Sequence, residues 1–155
     1  MNIWERKLKK EFITFAEPPT GKDEMKIAEL LKKFYAEINS RGSATFTNVF
    51  TKEARVESLY LHKVMGVAEY RRGMEKILPL LQFSFLDNTR IQFQKKEVAL
   101  VSGVLSSQIK DRGLYRGVFS AECKKMNCQW RIEATHHSLP NELKPRNVPV
   151  SIYNH

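Results

Sequence analysis

The chain has 155 residues, 42% of them hydrophobic and 28% charged, the proportions of one globular domain with enough apolar mass to bury a core without metal or disulfide. Its formal charge is +9 and its isoelectric point about 9.6. The basic residues are spread rather than clustered, however, as the N-terminal Arg6, Lys7, Lys9 and Lys10 and the pairs Lys32-Lys33, Arg71-Arg72, Lys95-Lys96 and Lys124-Lys125; without interleaved aromatics this argues against nucleic acid as a partner.

No run approaches the roughly 20 apolar residues that cross a bilayer, and the first residues lack the apolar centre of a secretory signal. A cytoplasmic chain with no membrane partner is therefore expected. Residues 2–15 place Trp4, Leu8, Phe12 and Phe15 at helical spacing among charged residues, which predicts an amphipathic helix packed on its own domain or on a partner subunit. Pro18 and Pro19 break it, so residues 1–19 form an N-terminal unit ahead of a domain over 20–139.

Thr20 and Asp23 have capping-box spacing, and Ile27, Leu31, Phe34, Tyr35 and Ile38 recur at helical intervals behind them. That helix should end over 39–42, with Gly42 as its left-handed cap. A helical turn over 44–49 follows. A strand over 50–61 then sets Ala54, Val56, Ser58 and Tyr60 on one face, and a helix over 66–78 is stopped by Pro79. The remaining pattern is of strands, over 82–93, 98–107, 114–123 and 128–138, separated by charged and glycine-bearing turns. Helices first and a strand meander afterwards predict an α+β fold with helices on one face of an antiparallel sheet. Residues 140–155, with Pro140, Pro145 and Pro149, read as an extended tail.

In the run WRIEATHHS, simple alternation puts Trp130, Ile132, Ala134, His136 and Ser138 on one face, with His136 inward and His137 outward. A four-residue loop over 124–127 would oppose Cys123 to Cys128, Ala121 to Trp130 and Tyr115 to His136. Reduced thiols in the cytoplasm act as small apolar groups, and His136 is too far along the strand from Cys128 to share a metal with it. No metal site is expected.

The capped first long helix, FTKEARVES at 50–58, GVAEYRRGMEKIL at 66–78 and the terminal WRIEATHHS together resemble the nuclear-transport-factor-2-like superfamily, near its SnoaL-like and ketosteroid-isomerase-like branches. The resemblance spans about residues 24–138. It implies a curved antiparallel sheet wrapped into a cone around about three helices, with a pocket at the open end and a homodimeric assembly. Isomerases of that family carry a carboxylate base in a VED-like sequence, where this chain has Val56-Glu57-Ser58. Cyclase-like members carry two histidines two residues apart on the last strand, where Ala134 stands in for the first and His136 is the second.

Tyr35 resembles a tyrosine with which some relatives hold a ligand oxygen, and Tyr60, His62, Tyr70, Tyr115 and Trp130 are further pocket candidates. For each of them, core packing is the competing explanation. Three functions compete. A small hydrophobic ligand is bound in the cone without catalysis; or an isomerase, dehydratase or cyclase uses His136 as general acid or base; or the outer sheet face and N-terminal helix recruit a protein partner. No cofactor is expected, because the seven glycines are scattered and form no phosphate loop.

Overall fold

The computed structural model describes residues 2–138 other than Leu59 and His62. The expected tail and the candidate His62 lie outside the described residues.

Asn2 caps the first helix, α1 (Ile3–Lys9), its Oδ1 accepting from the Glu5 amide at 2.8 Å. The helix ends at Lys10, whose left-handed φ of 56° stops it well before the expected Phe15. Extended backbone suits the β-branched Ile13 and Thr14, and Ile13–Phe15 forms strand β1 instead. Its approach is fixed by the Leu86 amide donating to the Phe12 carbonyl at 2.9 Å. Only part of the anticipated apolar stripe is covered: Phe12 is buried against Phe85, whereas Trp4 and Leu8 are 73% and 81% exposed.

Helix α2 (Lys22–Asn39) carries the buried ridge Ile27, Leu31, Phe34, Tyr35 and Ile38. Its N-cap is Gly21, and the Thr20–Asp23 capping box does not form. Asp23 is engaged elsewhere, accepting from Trp130 Nε1 at 3.0 Å and pairing with Lys125 Nζ at 3.1 Å. At the other end Arg41, at φ 64°, takes the left-handed position expected of Gly42, whose amide closes the turn onto the Glu37 carbonyl at 2.9 Å.

Next come α3 (Phe46–Val49), β2 (Phe50–Glu57), a short strand β3 (Val64–Met65) that periodicity did not reveal, α4 (Val67–Ile77) and a 3₁₀ turn (Leu78–Leu80) around Pro79. Strands β4 (Leu81–Lys95), β5 (Val98–Ile109), β6 (Gly113–Met126) and β7 (Gln129–Ser138) complete the described chain. The seven described strands form one sheet in the order β1-β4-β5-β6-β7-β2-β3. It is mixed rather than wholly antiparallel, because β1 joins β4, and β2 joins β7, in parallel.

The architecture is α+β, a sheet curled around helices, as anticipated. Its inner face alternates cleanly along β5, where Ala99, Val101, Leu105 and Ile109 are buried. Gly103 stands on that face where β4 comes closest: a Cβ there would lie 2.9 Å from Leu86 Cδ1. Among the described residues no helix is long and apolar enough to cross a membrane.

The last hairpin departs from the expected register. Its turn has two residues, Asn127 and Cys128, at φ 52° and 65°, the mirror-type turn whose twist matches that of the strands. Met126 therefore opposes Gln129, and Cys123 opposes Ile132 rather than Cys128. A bulge follows: Cys123 pairs with Ile132 but Glu122 with Ala134, leaving Glu133 as an extra residue on β7. Beyond it the faces exchange, so Trp130 and Ile132 are buried, then Thr135, while His136 turns outward and His137 inward.

Candidate functional site

Inside the curl lies a cavity of about 30 Å³, bordered by Tyr35 of α2, Tyr70 of α4, Ser58 and Tyr60 beyond β2, Phe119 of β6 and His137 of β7. That volume accommodates a water-sized molecule. Its aromatic wall is built of paired rings, with Phe46 stacked on Tyr70 at 5.3 Å and Phe34 edge-on to Tyr35 at 5.5 Å. The Tyr60 hydroxyl donates to Ser107 Oγ, which lies 2.8 Å from Ser84 Oγ. Burial raises the pKa of Tyr35, Tyr60 and Tyr70 above the usual phenol value, so all three stay protonated and able to donate.

His137 is held by the end of β2. Its backbone amide donates to Glu57 Oε1 at 3.0 Å, and its Nδ1 lies 2.6 Å from the Glu57 carbonyl oxygen. A carbonyl can only accept, so the proton sits on Nδ1 and Nε2 is left as an acceptor. Desolvation pushes the imidazole pKa down to about 4, against the raising influence of the Glu57 backbone contact, so the ring is neutral at physiological pH. Thr135 fixes Glu57 in turn, its Oγ1 accepting from the Glu57 amide and donating to the Glu57 carbonyl, both at 3.1 Å. The result is a neutral imidazole of defined tautomer among phenols and apolar rings, equipped to accept one hydrogen bond.

The predicted residues divide between this cavity and other places. Tyr35, Tyr60 and Tyr70 line it. Tyr115 is buried behind it, edge-on to Tyr60 at 5.5 Å. Trp130 sits near the opposite end of β7, bonded to Asp23 and 5.8 Å from the Phe93 ring. His136 does not face the cavity: its side chain is 69% exposed, with Nδ1 3.7 Å from Glu57 Oε2.

Sequence reasoning missed His137, Thr135 and the structural part of Glu57, because all three depend on the bulge at Glu133. The adjacent pair His136-His137 was the available signal, since one of two neighbouring strand residues must face in. Ser58, the last residue of the Val56-Glu57-Ser58 run, is 3% exposed and accepts from the Tyr60 amide at 3.1 Å.

Solved structures share this fold. A nuclear-transport-factor-2-like protein of unknown function from Shewanella oneidensis superposes with a TM-score of 0.62 at 17% identity, over 76% of this chain and 99% of the other. The chain has the nuclear-transport-factor-2-like fold.

Two further proteins of known structure superpose on it. One from Xanthomonas campestris, provisionally named as a calcium/calmodulin-dependent protein kinase II association domain, has a TM-score of 0.68 at 14% identity over 81% of this chain and 92% of its own. One from Novosphingobium aromaticivorans, provisionally named as a scytalone dehydratase, has a TM-score of 0.61 at 15% identity over 82% and 95%. No protein-family model matches the sequence, and no curated protein matches it significantly. The nuclear-transport-factor-2-like cone explains why the cavity lies where helices, β2 and the inner sheet face converge.

Proposed function

We propose that the chain binds a small, largely apolar molecule in the cone cavity and does not transform it. The observation that carries this reading is His137, a neutral imidazole with Nε2 as acceptor in a cavity lined mostly by aromatic and aliphatic side chains, with Ser58, Ser84 and Thr135 among them. Such a group recognises one hydroxyl or amide proton on a ligand whose remainder is apolar. A pKa near 4 makes His137 a weak base at neutral pH, poorly matched to proton abstraction.

At about 30 Å³ the closed cavity is far below the roughly 300 Å³ of ordinary ligand sites, so binding displaces tyrosine side chains to enlarge it. The assembly in this reading is a homodimer through the outer face of β5 and β6, where Leu100, Val104 and Val118 are half-buried. The chain resides in the cytoplasm.

The test is native mass spectrometry of the full chain purified from its source, compared with a His137→Phe variant. A dimer with a small adduct that the variant lacks supports the reading. An adduct-free protein, unchanged in melting temperature across a panel of apolar alcohols and phenols, overturns it.

A second reading, an acid–base enzyme of the dehydratase or isomerase kind, draws support from the fixed tautomer beside three phenols. The name of the Novosphingobium protein adds to it. Under that reading His137→Gln abolishes conversion of the retained molecule, whereas under the first there is no conversion to abolish.

A further inference from the structure

A second concavity, of about 650 Å³, lies on another face of α4, between that helix and the start of β2. Its size falls within the range of small-molecule sites, roughly 300 to 1,000 Å³. The residues forming it separate by chemistry. Val67 and Ala68 offer apolar surface, and Lys52, Arg71, Arg72 and Arg131 bring four cations against one carboxylate, Glu75.

Glu75 offsets only Arg71, at 3.3 Å. Three elements thus converge cations on one groove, an arrangement that costs energy until an anion enters it. One further feature points the same way. Val67 and Ala68, which also line the groove, open α4 behind Gly66, which caps it with no side-chain bond, so the unpaired amides of this helix end favour negative charge.

We infer that this groove binds a soluble amphiphilic anion. A carboxylate or phosphate head sits among Arg72, Arg131 and Lys52, and an apolar body lies over Val67 and Ala68. None of the exposed large hydrophobic residues among the described ones lines the groove, which favours a soluble anion over a bilayer. The site is separate from the cone cavity and independent of the function proposed for it.

The test is calorimetric titration of the full chain with octyl phosphate, below its micelle concentration, with amide NMR spectra at each point. Octanol and inorganic phosphate serve as the uncharged and head-only probes. The expected result is saturable one-to-one binding that shifts the amides of Thr51, Val67 and Ala68. Arg72→Glu should weaken it about tenfold, as loss of a charge-assisted contact does. Arg112→Glu, an equal charge change in the exposed β5–β6 turn, should leave it within about twofold, as for a distant screened charge.

Equal losses in the two variants would reduce the effect to net charge and overturn the inference. So would shifts centred on Tyr35 and His137, which would place the probe in the cone. Arg72-dependent binding to phosphatidylserine vesicles without saturable binding of octyl phosphate would overturn it in favour of a lipid surface.

Discussion

His137 is uncharged in the folded chain because its ring is desolvated, while its Nδ1 proton is shared with the Glu57 carbonyl. The consequence for stability has a definite sign. The folded-state pKa, about 4, lies below the ordinary 6.5, so between these values the unfolded chain takes up a proton that the native chain refuses. His137 therefore makes stability fall as pH drops from 6.5 towards 4. Urea titrations across that window should show a shallower fall for His137→Gln than for the unaltered chain.

Thr135 supports the same carbonyl from the neighbouring strand. Thr135→Val keeps the shape but leaves the Glu57 amide and carbonyl without that hydroxyl. It should cost about 2 kcal/mol in chemical denaturation. At this scale the sequence showed that Tyr35, Tyr60 and Tyr70 were candidates for an interior wall, because each belongs to an apolar period. It could not show which histidine faces inward, since a single inserted residue reverses the answer.

That inserted residue acts at the scale of the element. Helices α2 and α4 and strands β4 to β7 were legible because their buried faces repeat with the period of the backbone over many residues. A bulge leaves no such signature, and Glu133, paired with Lys124 at 2.6 Å, reads as an ordinary solvated position. The tight turn was hidden for a related reason: Asn127 announces a mirror-type turn, but Cys128 stands where glycine usually does.

A side chain at φ 65° is strained there, so Cys128→Gly should stabilise the hairpin by about 1 kcal/mol, measured by thermal or urea unfolding. The N-terminal segment shows the opposite error. Its helical spacing was real for one short helix, but the β-branched residues after Lys10 favour extension, and pairing with β4 gave that extension a partner.

Across the described residues, the curled sheet buries its concave face on α2 and α4 and leaves a small cavity at their meeting. The N-terminal segment belongs to that closure. Arg6 holds Asp87 through two hydrogen bonds of 2.6 and 3.0 Å and lies 4.1 Å over the Phe85 ring, while Phe12 packs beside the same ring. Phe12→Ala should cost about 3 kcal/mol and lower the melting temperature accordingly.

The order of the strands has a further consequence, for colloidal behaviour. The sheet begins and ends with its shortest members, three residues in β1 and two in β3, and β1 covers the middle of the outer side of β4, from Leu86 to Thr89. Removing residues 1–15 would bare that middle part of the fifteen-residue β4. Such a truncated chain should convert to thioflavin-positive fibrils under conditions in which the full chain stays dispersed. Three residues of an apparently peripheral segment thus serve as the molecule's guard against templated aggregation.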